Sequence, residues 1–259
     1  MRNRAGPGDD RGVTAPVDEL IDRMQGLLDG LTADGDPARH FLGTYLRTTR
    51  AVGAAIDDGR FEDPDWVTAW DVDFAGLYLD ALEAHRRDPA SPPAPWRAAF
   101  GTASSTRPEG HVLLGMNAHI NFDLPQSLVR VIGPAEFADP PLLDCRRRDH
   151  ERIDEVLAGR VAEEDRALEA SGSRRTPLDR VMGGVNRAAA RALLRESRRK
   201  VWANAEALHR ARLAGPDALA RRVAQLEEVS AARVADLRRG GPVLLRLAVL
   251  GFGVTLPPA

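Results

Sequence analysis

The chain has 259 residues, of which 43% are hydrophobic and 29% charged, enough to bury a real core and ordinary for a folded globular protein. With 36 Lys plus Arg against 38 Asp plus Glu its formal charge is −2, which excludes a nucleic-acid binder acting through bulk positive charge. A single cysteine, Cys145, excludes an internal disulfide framework and any thiolate zinc module.

Residues 1–14 read as a disordered tail and residues 15–259 as one helical domain. Val17, Leu20, Ile21, Met24, Leu27, Leu28 and Leu31 follow the i, i+3, i+4, i+7 spacing of one apolar helix face. Asp36-Pro37 offers an N-cap and a first-turn proline to a helix carrying Phe41, Leu42, Tyr45, Leu46, Val52 and Ile56, which Gly59 ends. Asp63-Pro64 restarts the chain for a long aromatic helix with Trp66, Trp70, Phe74, Leu77, Tyr78 and Leu82. After the Pro-rich break from Asp88 to Pro95, Trp96 and Phe100 sit on a short helix.

The stretch HVLLGMNAHINFDL is helical by pattern up to Pro125. Proline has no N–H to donate to the carbonyl four residues back, so a kink is expected between Asn121 and Leu124. PQSLVRVIG follows, with Gly133 as the residue that closes it, and GPAEFADPPLLD reads as loop. Further helices are expected from Arg146 to Leu168, Leu178 to Leu213 and Pro216 to Arg239, with a Gly-Ser patch near Ser171 to Ser173. Beyond Gly240-Gly241-Pro242 the apolar tract Pro242 to Pro257 reads as a buried closing helix, or as a contact for a partner or a membrane surface. It is shorter than the ~20 apolar residues of a bilayer span, and Arg246 interrupts it. With no period-2 strand run, the expectation is an all-α, single-domain bundle of about 8–10 helices with a kinked central helix. No signal-peptide pattern precedes it, so a cytoplasmic location is expected.

Chemistry concentrates in Gly115 to Pro125, GMNAHINFDLP. His119 and Asp123 stand four apart and so project from one helix face. Such a pair shares a metal ion, or the carboxylate fixes the imidazole tautomer for acid–base work, or the two simply lock a kinked helix. Asn117 and Asn121 share the roughly opposite face. A second HxxxD pair, His150 and Asp154, follows in DCRRRDHERIDEVL, beside Asp149 on the buried stripe with Ile153. Together the pairs would offer two His and two carboxylates to zinc, manganese or iron. Asp80 and Arg198 are further candidates to face inward. Asp80 or Asp149 would serve as base, and Arg198 would hold an anionic substrate or pair with an acid. Tyr78, Asn117, Phe122 and Trp202 are candidates to line a substrate site. The acidic turn Asp57, Asp58, Glu62, Asp63 reads as capping, and Cys145 as a buried small residue.

From Phe41 to Leu208 the chain resembles an uncharacterised bacterial family of helical proteins, a domain of unknown function. The resemblance rests on Phe-Ala-x-x-Tyr-x-Asp-Ala-Leu at Phe74 to Leu82, the GMNAHINFDLP core, Asp149-His150-x-x-Ile153-Asp154, and Ser197-Arg198 before Trp202. It implies a helical fold and no particular activity. A weaker likeness, to the helical zinc-dependent phospholipase C and nuclease superfamily, would make His119, Asp123, His150 and Asp154 metal ligands.

Three readings follow. The first is a metal-dependent hydrolase of a phosphate or carboxylic ester, with a divalent metal lowering the pKa of its bound water. The second is a metal-independent isomerase or cyclase enclosing an apolar substrate among Trp66, Trp70, Tyr78, Phe122 and Trp202, with His119–Asp123 as acid–base pair. The third is a non-enzymatic helical binding or scaffold protein whose apolar tail docks a partner. An accessible His119 favours the enzymes; an inaccessible one held by Asp123 favours the binding protein.

Overall fold

The computed structural model describes residues 15–171, 187–239 and 251–258. The expected N-terminal tail, the start of the Leu178 helix and residues 242–250 of the apolar tract lie outside them. Among the described residues there is helix and no strand: α1 (Ala15–Ala33), α2 (Arg39–Asp57), α3 (Pro64–Arg87), α4 (Ala94–Phe100), α5 (Pro108–Ala118), a π-turn (His119–Asp123), α6 (Leu124–Val131), α7 (Pro134–Phe137), α8 (Pro140–Ser171), α9 (Arg187–Ala214) and α10 (Pro216–Arg238).

Helices α1, α2 and α3 pack on one another through the stripes read from the sequence, with Val17, Met24, Leu31, Leu42, Leu46 and Leu79 buried. Helix α5 and the π-turn run through the middle, touching α2, α3, α4, α6, α9 and α10. That central position explains why so polar a motif is buried. Gly115 faces the ring of Phe41 on α2, and a Cβ there would lie 2.5 Å from the Phe41 Cγ. The close approach of α2 to α5 therefore requires glycine at this position.

The kink expected at Pro125 takes the form of the π-turn. Pro125 cannot donate to the Asn121 carbonyl, so the ladder lengthens by one residue and the Leu124 N–H reaches the carbonyl of His119. The wider turn rotates the residues after it, carrying Asp123 under His119 while Leu128 stays in the core.

Asp63 caps α3 by accepting the Trp66 N–H at 3.0 Å, as the Asp-Pro pair implies. Asp149 on α8 is fully buried and accepts the amides of Glu62 and Asp63 at 2.8 Å each and Arg152 at 2.8 Å. Arg146 pairs with Asp63 and Glu136, and Arg148 grips Glu62 with two parallel bonds. The acidic turn thus joins α8 to the start of α3.

Three sequence expectations are corrected. GPAEFADPPLLD is largely helical: the amide of Gly133 donates to Glu136 at the start of α7, and α8 begins at Pro140. Gly133 has φ −68°, so it starts α7 rather than closing α6 in the left-handed form. Residues 251–258 of the apolar tract form no helix. No described helix is long and apolar enough to cross a membrane.

Candidate functional site

Helix α3 presents Trp66, Trp70, Phe74 and Tyr78 at four-residue spacing, so their rings follow one another along one face. Trp66 stacks on Trp70 and Trp70 on Phe74. Phe74 then stacks flat on the His119 imidazole at 3.7 Å and 4°. Tyr45 meets that imidazole edge-on at 4.6 Å, and Phe41, Tyr78 and Trp96 complete a cage at 5.9–6.0 Å. His119 is 3% exposed and Asp123 2%.

Inside the cage, His119 Nδ1 lies 2.8 Å from Asp123 Oδ2. The same oxygen accepts the Trp96 Nε1–H at 2.9 Å. With Asp123 ionised this oxygen can only accept, so the imidazole proton then sits on Nδ1 and the lone pair at Nε2. Burial holds the imidazole pKa down, against the pull of Asp123, so the ring is neutral at physiological pH. The same burial raises the Asp123 carboxyl, against the hydrogen bonds of His119 and Trp96. Nε2 and the hydroxyls of Tyr45 and Tyr78 are buried without a hydrogen-bond partner. Asp71 adds a buried carboxyl with an unpartnered oxygen, and burial pushes its pKa up to about 7. A cavity of about 30 Å³, room for a water or two, shares Phe41 and Trp96 with the cage, and His119 does not line it.

His150 has a cage of its own. Its Nδ1 accepts the Trp202 Nε1–H at 3.2 Å, and the Trp70 ring lies 5.1 Å away. Burial and the charge of Arg198 press its pKa down to about 3. The ring contacts linking the two histidines pass through Trp70 and Phe74. The side chain of Asp154 lies outside the described residues. Among the described residues, no three His, Cys, Asp or Glu side chains gather where they could hold a metal ion.

The opposite face of the central helix holds the C-terminal segment. Asn117 and Asn121 both donate to the Phe252 carbonyl at 3.1 Å. Asn121 Oδ1 also accepts the Val254 N–H at 3.0 Å, so one amide brackets the carbonyl of one residue and the N–H of the next but one. Asn204 on α9 repeats this two residues on, donating to the Val254 carbonyl at 3.0 Å and accepting the Leu256 N–H at 2.8 Å. Lys200 donates to the Gly253 carbonyl, Arg222 to that of Pro257 and Arg233 to that of Gly251. Residues 251–258 therefore lie in a groove walled by α5 with the π-turn, α9 and α10, held by their main chain as a neighbouring strand would hold them.

The remaining candidates divide as follows. Tyr78 is in the His119 cage, whereas Trp66, Trp70 and Trp202 belong to the His150 side, and Phe122 is buried without a ring contact to His119. Asn117 holds the tail rather than facing His119. Asp80 is exposed, so it does not face inward as expected. Asp149 has its oxygens committed to the α3 turn and Arg152, which leaves it no place beside His119. Arg198 lines an open groove of about 700 Å³ with Arg147, Arg199, Trp202 and Glu206. The partners of Asp123 are His119 and Trp96. Sequence reasoning passed over Phe41, Tyr45, Phe74, Trp96, Asp71 and Asn204 as site residues. For Asn121 and Asn204 a signal existed: polar residues on faces otherwise turned to the core.

No curated protein and no solved structure matches this chain, so the likeness to zinc-dependent phospholipases and nucleases gains no support from such matches. A family model matches residues 17–239, which span the cage, the asparagine face and all the helices that carry them. The chain belongs to the family of unknown function designated DUF5995.

Proposed function

We propose that this is a helical binding protein whose working surface is the asparagine-lined groove, built to hold an extended polypeptide by its main chain. The observation that carries the reading is the pair of bracketing amides, Asn121 and Asn204, two residues apart in the register of the bound segment. Side-chain amides that copy a strand's donor and acceptor give affinity through backbone bonds, while pockets between them set sequence preference. The burial of His119 and its bond to Asp123 accord with this reading. The GMNAHINFDLP stretch then has a structural use throughout: Gly115 admits Phe41, Asn117 and Asn121 hold the segment, and His119, Asp123 and Trp96 tie α4 to the central turn. The metal-dependent ester hydrolase draws no support from the placement of its candidate ligands.

The test frees the groove without shortening the chain. A Cβ at Gly253 would lie 2.9 Å from Lys200 Cδ and 3.1 Å from the Ser197 Cα, and Leu256 is buried. The full chain carrying Gly253→Val and Leu256→Asp should therefore release its own tail. A fluorescent peptide of residues 251–258 should then bind saturably, read by anisotropy. Adding Asn121→Ala and Asn204→Ala removes four hydrogen bonds of roughly 1 kcal/mol each and should weaken that binding by at least about 100-fold. A chain of native helicity that leaves the peptide unbound rejects the reading.

A second reading has its own observation. The unpartnered Nε2 of His119 and the Tyr45 and Tyr78 hydroxyls are what a buried acid–base site would offer a small carbonyl substrate, with Nε2 as base and a phenol as donor. It is checked by incubating a metabolite library in D₂O with the wild-type chain and with His119→Asn. Deuterium entering a C–H position only with wild type supports it, and no exchange above the variant removes it.

A further inference from the structure

We infer that His40 and His111 form an acid-sensitive latch between α2 and α5, closed while both rings are neutral and parted when they take up protons. The latch shares no residue with the asparagine-lined groove and stands independently of it. His40 and Phe41 on α2 face His111 and Gly115 on α5, so the contact has two rungs one helical turn apart on α5. One rung is the close approach of Phe41 to Gly115. In the other the two imidazoles lie 5.8 Å apart, tilted by 30°. His111 is buried and its Nε2 has no hydrogen-bond partner, so an imidazolium would hold a charged N–H there without an acceptor. Both rings sit in the first turn of their helices, where free N–H groups oppose a further positive charge.

Burial is the first cause that holds both imidazoles below their ordinary 6.5, and Arg39 adds to it at each ring. Asp36 and the Thr106 backbone pull the other way on His111, as Glu109 does on His40, and the net direction stays down. The cavity of about 30 Å³ beside the latch is lined by His111, Gly115, Phe41 and Asp36. To it α3 adds His85, whose buried Nδ1 is also unpartnered, and α4 adds the uncharged Trp96, Ala99 and Phe100. Among the described residues α10 lines no part of it. Phe41 is at once a wall of this cavity and of the His119 cage, so parting the latch loosens the ring they share and widens the cavity towards His119. In the parted state the imidazoles meet water and titrate at the ordinary value, whereas the closed state binds fewer protons. The closed state is therefore fully favoured at neutral pH and loses ground as pH falls below about 6.5, by up to about tenfold per histidine at about pH 5.5.

Amide hydrogen exchange of the full chain, read by mass spectrometry and corrected for the pH dependence of chemical exchange, tests the latch. Between about pH 7.5 and about pH 5.5 the opening of segments 38–46 and 110–119 should rise by about 10- to 100-fold, while α9 and α10 stay as they were. His40→Gln with His111→Phe removes both titrations and should flatten the rise. If that chain loses its helicity, His40→Gln alone replaces it and should shrink the rise severalfold, because one of the two protons is gone. No rise in the wild-type chain overturns the latch. So does a rise shared equally by all the helices, which is global loosening, or a variant that opens in acid as far as wild type does.

Discussion

Asp71→Asn is expected to stabilise this protein, with a gain that grows between about pH 4 and pH 7 and then levels. The side chain is buried on α3 with an unpartnered oxygen, and burial alone raises its pKa from the ordinary 3.8 to about 7. In that window the folded protein keeps the proton and the unfolded chain has lost it, so the folded state binds more protons and stability falls as pH rises. At roughly 1.4 kcal/mol for each tenfold change in proton affinity, the full difference is of the order of 4 kcal/mol, reached once the folded carboxyl also ionises. Asparagine keeps the shape and removes the titration. Urea unfolding of both chains across this range measures the difference. His150 has the opposite dependence: its folded pKa of about 3 lies below the ordinary 6.5, so stability falls as pH drops between them. Subtracting one chain from the other cancels it. A difference that is flat from pH 4 to 8 would show that Asp71 is not carrying a buried charge.

The second large effect separates two ways of reading the His119 cage. Asp123→Ala leaves the His119 Nδ1–H and the Trp96 Nε1–H buried with no acceptor. Each orphaned donor costs about 1–3 kcal/mol, so a loss near 4 kcal/mol is expected. At about 2–4 °C per kcal/mol for a chain of this size, Tm should fall by about 8–16 °C. Asp123→Asn should cost far less, because both bonds end on the single oxygen Oδ2, which an amide oxygen can replace. Thermal melts of the two variants at neutral pH measure the contrast. Equal losses would mean that the negative charge, rather than the acceptor, holds the cage together.

How much of this was legible in sequence differs by element. The stripes of α1, α2 and α3 could be read because an amphipathic helix carries its own burial pattern in its spacing. The Asp63-Pro64 start of α3 was equally local, since the cap acts within one turn. The kink before Pro125 followed from a missing N–H, and the His119–Asp123 bond from four-residue spacing. The α7 region failed for the complementary reason: short Pro-led turns carry no periodicity, and Arg146 on α8 fixes Glu136 from outside the segment.

What sequence determined, then, is whatever lies within one or two turns: helices, caps, the kink and the pair inside it. Only the tertiary structure decided which polar groups meet. His150 faces Trp202, 52 residues later in the chain, and not His119; Asp149 serves amides more than 80 residues earlier. Asn121 waits for a main chain 131 residues further on. Spacing along one helix fixes a direction, whereas a partner across the core depends on how the helices cross. The C-terminal segment shows the difference most plainly. Its apolar run reads as a helix by composition, yet residues 251–258 are held extended because three asparagines, on α5, the π-turn and α9, supply the bonds a helix would make internally.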